Sequence, residues 1–177
     1  GLIQDHFRPN PALVAQLQRD PVTGLFNRAR MLECIDQAVA AATEGTKGQS
    51  LLLIEPDNWQ AIVSGIGLGK ADELLAAFAA RVNALLGLED TAGLLAEHTV
   101  GVILHSRNDD GIKEWIAGLQ QAVANEIFDV GSRSLTVTTS IGGSLLGEKN
   151  ANTELLLEQA GQSLRNAQSL GGNRYDL

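Results

Sequence analysis

The run Ser50-Leu-Leu-Leu-Ile-Glu55 constrains this chain more than any other segment. Successive side chains of a strand point to opposite faces of its sheet, so four consecutive apolar residues demand cover on both sides. The run therefore reads as a buried central strand. Cover is available in segments whose apolar residues recur at helical spacing. Met31, Leu32, Ile35 and Val39 form one stripe, in a helix that Asn27 is suited to cap. Leu74, Leu75, Phe78, Val82 and Leu85 form a second, and Ile112, Trp115, Ile116, Leu119 and Val123 a third. Leu155, Leu156, Ala160, Leu164 and Ala167 form the last, which ends at Gly171-Gly172, suitable capping residues.

Between these helices, Thr91–Leu95 and Thr99–His105 read as a hairpin, and Ile127–Val130 and Ser134–Leu146 as further strands. A turn at Pro56–Asn58 leads into a short helix, Trp59–Val63, and then into Gly65-Ile-Gly-Leu-Gly69, a flexible or tightly turning connection. Ahead of all this, Asn10-Pro11 opens a short helix over Leu13–Arg19. The order of elements predicts an α+β domain with a palm-type, ferredoxin-like antiparallel sheet and flanking helices.

At 177 residues, 44% of them hydrophobic, the chain has material for one sizeable core. Apolar runs such as Leu51–Ile54 and Val102–Leu104 are far below the roughly 20 residues of a membrane helix, so no membrane insertion is expected. Nothing at the start reads as a signal peptide. A net charge of −8 argues against nucleic acid as a partner, because binding phosphates in bulk needs basic side chains. Cys34 is the single cysteine, which excludes an internal disulfide and suits a reducing cytoplasm.

The residues offer several starts toward chemistry. Glu55 and Asp57, at the end of a buried strand, could hold a divalent cation against a phosphate, or could simply be a solvated acid and an ordinary turn. The glycines before Lys70 fail as a phosphate loop, since Ser64 stands where the first glycine is required and Ala71 where the hydroxyl is. They fail equally as a dinucleotide fingerprint, because Lys70 occupies the third glycine position. His98 falls at the expected hairpin tip with no second histidine at ligand spacing, and is expected to be an exposed turn residue. Cys34 lies in a helix stripe and is expected to be buried and inert. No Ser/His/Asp or Cys/His arrangement emerges.

Asp20-Pro-Val-Thr-Gly-Leu-Phe-Asn-Arg28 resembles the DxLTGLxNR opening of GGDEF domains, the diguanylate cyclase family. In order along the chain, Glu55-Pro-Asp-Asn-Trp-Gln60 resembles that family's D-x-D-x-F-K segment. Gly67-Leu-Gly-Lys-Ala-Asp72 resembles its G-H-x-x-G-D, Thr138-Thr-Ser-Ile-Gly142 its T-x-S-I-G strand, and Gly171-Gly-Asn-Arg174 its closing G-R-N-R. The resemblance spans roughly residues 20–175 and implies the same palm-type fold.

It also implies losses. The G-G-D-E-F positions are Ala96-Glu97-His98-Thr99-Val100, with a bulky acid where GTP would lie and no carboxylate at either acidic position. The metal-ligand aspartate is Glu55, vestigial at best. Of two guanine-reading positions, one is Val63 and the other survives as Asp72. The triphosphate-holding Lys and Arg correspond to Gln168 and Gly172, and the product-site Arg-x-x-Asp reads Gly87-Leu-Glu-Asp90. The resemblance thus implies a catalytically dead module without cofactor or metal, whose vestigial nucleotide cleft would be marked by Asp72 and Trp59. Residues 1–19 would be a connector from an upstream domain and 20–177 the degenerate domain. Partners would be neighbouring sensory and EAL-type domains of a longer cytoplasmic chain, as in regulators of the FimX type, with homodimerisation open. The alternatives are an allosteric GTP or nucleotide sensor using Glu55, Asp57, Trp59 and Asp72, or a residual cyclase.

Overall fold

The structure is a computed structural model that describes residues 10–147 and 152–177. Residues 1–9 of the expected lead-in lie outside these. The elements, in chain order, are α1 (Pro11–Leu17), α2 (Arg28–Thr43), β1 (Ser50–Pro56), α3 (Trp59–Ile66), α4 (Leu68–Ala84), β2 (Thr91–Ala96), β3 (Thr99–Leu104), α5 (Asp109–Ala124), β4 (Phe128–Val130), β5 (Arg133–Leu135), β6 (Thr139–Leu145), α6 (Thr153–Ser169) and β7 (Tyr175–Asp176).

Five strands form one sheet in the order β2-β3-β1-β6-β7. β1 is central, antiparallel to β3 on one side and to β6 on the other. Its alternation divides the core in two. Leu52 and Ile54 join Phe78, Val82, Ile116 and Leu119 under α4 and α5. Leu51 and Leu53 join Met31, Ile35, Leu156 and Leu164 under α2 and α6. The all-apolar run is thus covered on both faces, and the architecture is the expected palm-type α+β.

The caps are local and legible. Asn10, Asn27, Asn108 and Asn152 each accept a bond from a first-turn amide of the helix that follows. The glycine-dotted connection is shorter than the sequence suggests: α3 runs through Gly65, and Gly67 alone, at φ +84°, separates it from α4. That left-handed conformation is cheap only for glycine.

Two further expectations are corrected. The segment Ser134–Leu146 is not one strand. β5 pairs with β4 in a separate two-stranded sheet, and the chain crosses at 136–138 before β6 joins β1. The crossing is fixed where the amide of Asp57 donates to the carbonyl of Thr138 at 2.9 Å. Leu155 does not face inward and is 39% exposed, since Leu156, Ala160, Leu164 and Ala167 already fill the seam of α6. The sheet also gains a strand that was not expected: β7 pairs parallel to β6 through Ile141 and Tyr175.

Candidate functional site

The end of β1, the β2–β3 turn and the last turn of α6 surround a cleft of about 600 Å³. Its walls include Glu55, Asp57, Trp59, His98, Gln168 and Gly172. Glu55 closes the central strand, and its carboxylate is engaged from two sides. The Thr99 hydroxyl, at the start of β3, donates to Oε2. The Gln168 side-chain amide, from α6, donates to Oε1 at 2.7 Å. The expectation of a merely solvated acid is therefore corrected.

Asp57 is equally committed. Thr138 and Ser140 hydroxyls donate to it at 2.6 Å each, and the Asn173 amide donates at 2.8 Å. One carboxylate thus ties the end of β1 to β6 and to the closing Gly171–Arg174 segment. Gly172, at φ +72°, comes so close that a Cβ there would stand 2.9 Å from an Asp57 oxygen. A turn alone would not need this network.

His98 is not an exposed turn residue. Its ring stacks on the Trp59 indole, with centroids 5.6 Å apart and planes 17° from parallel, and its Nε2 lies 3.8 Å from Glu55 Oε1. The hairpin tip folds it inward because the indole offers a flat apolar surface. Trp59 itself is 5% exposed and belongs to the core as well as to the cleft wall.

Of the expected site residues, the structure gathers Glu55, Asp57 and Trp59 and leaves Asp72 apart. Asp72 is exposed on α4 and does not line the cleft. Val63 is half-buried and packs against the core. Sequence reasoning did not foresee the His98–Trp59 stack or the closure of Glu55 by Thr99 and Gln168. The 44 and 113 residues separating Glu55 from those two donors leave no local pattern that would betray them.

Asp90 is likewise spoken for. Arg107 pairs with it at 2.9 Å, and the amides of His105 and Gly87 donate at 2.9 and 2.7 Å. Burial alone would raise its pKa, but the bonds from Arg107, His105 and Gly87 outweigh that and hold the carboxyl below the usual range. Cys34 is buried, and burial pushes its thiol up, away from the reactive thiolate.

The opening motif has a defined place. Asp20 accepts from the amide and hydroxyl of Thr23 at 2.7 and 2.8 Å, which shapes the turn into Phe26. Phe26 then bridges to Gly93 on the edge strand β2, and Arg28 Nε donates to the carbonyl of Leu95 at 3.1 Å. The motif therefore pins the chain ahead of α2 to the hairpin that carries Glu97 and His98.

A five-stranded sheet of this order, with helices on both faces and a cleft at the end of its central strand, defines a palm-type α+β domain. The family model described as "Diguanylate cyclase, GGDEF domain" matches residues 17–174, and the chain belongs to the GGDEF family. The solved FimX GGDEF domain from Pseudomonas aeruginosa superimposes with a TM-score of 0.84 at 27% identity, covering 89% of this chain and 97% of that one. The cyclic di-GMP phosphodiesterase NbdA of Pseudomonas aeruginosa is 26% identical over 163 residues, 92% of this chain but 21% of NbdA. The response regulator PleD of Caulobacter vibrioides is 29% identical over 163 residues, 87% of this chain and 34% of PleD. The chain thus spans about a fifth to a third of these curated relatives. Among the described residues no helix is long and apolar enough to cross a membrane.

Proposed function

We propose that this GGDEF domain is catalytically inactive and serves as a regulatory, scaffolding module of cyclic di-GMP signalling. It works beside sensory and EAL-type domains of a longer cytoplasmic chain. The observation that carries this reading is the closure of Glu55 by two neutral donors, Thr99 and Gln168, which the family resemblance matches to a metal-ligand acid and a phosphate-holding lysine.

The residues present do not fit a Mg²⁺–triphosphate site. Mg²⁺ needs near-octahedral oxygen ligands, and the hairpin offers His98 and Thr99 beside an already engaged Glu55. Neither lysine nor arginine lines the cleft among the described residues, so a triphosphate would meet two carboxylates and no cation. Phosphoryl transfer relies on metal and cationic stabilisation of the transferring group, worth several kcal/mol per contributor. Asp90, at the position matched to the product-site acid, is consumed by Arg107 and two amides. Asp72 stands exposed and away from the cleft lining, which weighs against an allosteric nucleotide site.

Calorimetric titration of the purified domain with GTP and Mg²⁺ tests the reading against the nucleotide-sensor alternative. The reading expects no binding up to millimolar GTP. Saturable heat lost in Asp72→Ala would establish the sensor instead.

A further inference from the structure

We infer that a second cavity, between α2 and the β2–β3 side of the sheet, binds a small, flat, uncharged molecule that carries an N–H donor. The inference goes beyond the role proposed above and holds whether or not the domain makes cyclic di-GMP.

The first observation is space. A cavity of about 290 Å³ is lined from α2 by Cys34, Ala38 and Ala41, from β3 by Ile103, and by Phe26 ahead of the helix. The three α2 residues lie about a turn apart on one face, and their short side chains hold the helix surface back from the sheet. The cavity stands at the other end of β1 from the cleft, since Gln49, which also lines it, immediately precedes that strand. Asp90 does not line it, so it is separate from the position matched to the product-site acid. An apolar cavity of about 150 Å³ accepts benzene, and one roughly twice that size accepts two fused rings.

The second observation is a buried acceptor that is still open. Gln49 is only 3% exposed. Its side-chain nitrogen donates to the carbonyl of Ala38 at 3.0 Å, which fixes the amide, because the flipped form would set two oxygens against each other. The Oε1 on the other side accepts from no described residue. Unlike Arg30 Nε and Thr91 Oγ1 nearby, it is not sealed from solvent. It is therefore a fixed acceptor on the cavity wall. Buried amide oxygens are ordinarily bonded, and a donor for this one has to come from outside the chain.

The third observation is charge. No aspartate or glutamate lines the cavity, so a cation would lie beside Arg30 and His105 without a counter-charge. An anion would compete with Glu33, which holds Arg30 at 3.1 Å, while the Arg30 guanidinium stands over the Phe26 ring, 5.3 Å from its centroid. Burial raises the pKa of the Cys34 thiol and so keeps that wall neutral. Apolar walls favour an uncharged body, and the Gln49 oxygen selects among such bodies for one with an N–H.

The test is a methyl NMR titration of the domain with indole, which is flat, neutral and carries one N–H. The expected result is a saturable shift of the Ala38, Ala41 and Ile103 methyl signals. Ile116, in the core on the other face of the sheet, should stay still. 1-Methylindole, which keeps the rings and loses the donor, should bind about tenfold more weakly. Gln49→Leu should bring the two ligands to equal affinity, and Ala41→Leu, at a half-buried position, should abolish both. No saturable shift, equal binding of both ligands by the parent chain, a preference for indole that survives Gln49→Leu, or equal movement of Ile116 would overturn the inference. The comparison of the two ligands on the parent chain decides the matter even where a variant fails to fold. Cyclic di-GMP made from GTP by the same preparation would count against the proposed function alone.

Discussion

The side-chain amide of Gln168 lies 2.7 Å from Oε1 of Glu55, so the last helix is latched to the end of the central strand across the cleft. Gln168 is exposed at that point, and exposed neutral hydrogen bonds contribute little. Gln168→Ala should cost no more than about 1 kcal/mol in a urea melt. Its larger effect should be an opened cleft, seen as faster exchange of the Trp59 indole proton, whereas that of Trp115 stays unchanged.

Asp57 should matter far more to the fold. Its carboxylate accepts from Thr138, Ser140 and the Asn173 amide, and Ser140 is fully buried. Asp57→Ala would strand a buried hydroxyl and release the closing segment from β1. The expected loss is about 2–4 kcal/mol by chemical denaturation. Asp57→Asn, which keeps the shape, should recover part of it.

Gly142 marks the closest approach of α6 to the sheet. A Cβ there would stand 2.1 Å from the Leu164 amide nitrogen and 2.5 Å from the Ala160 carbonyl oxygen. Both are backbone atoms and cannot step aside, so Gly142→Ala must push the helix off β6. Loss of at least about 3 kcal/mol is expected, checked by thermal melting beside Gly161→Ala, whose Cβ would meet nothing closer than 3.4 Å.

Asp90 sets an acid limit on stability. Its folded carboxyl titrates below the ordinary value of about 3.9, so its contribution is complete at neutral pH and is lost as pH falls through the folded value. Asp90→Asn should cost about 2 kcal/mol at pH 7. The gap between variant and parent should shrink as pH drops below about 4, in urea melts at pH 7, 4 and 3. A gap that grows on acidification would reverse the sign of the account.

How much of this was legible in the sequence depends on the reach of each interaction. The strand Leu51–Ile54 is marked by its own unbroken apolar run, and the caps Asn10 and Asn27 by the residues that follow them, and these read correctly; Asn108 and Asn152 cap their helices without having been singled out. β7 was missed because two residues, Tyr175 and Asp176, carry no periodicity and owe their pairing to β6. The break after Leu135 was missed because alternation continues through it, and only the contact with Asp57 re-routes the chain. At the site, residue types at Glu55, Asp57 and Trp59 were visible, but not who occupies them. The donors Thr99 and Gln168 and the stacked His98 come from elements far apart in sequence.

The central claim, that this GGDEF domain makes no product, is tested most directly by incubating it with GTP and either Mg²⁺ or Mn²⁺ and assaying cyclic di-GMP by mass spectrometry. The account predicts no product above a protein-free control with either metal. Product that scales with enzyme concentration and disappears in Glu55→Gln would contradict it, and would mean that the network of Thr99 and Gln168 opens to admit a metal.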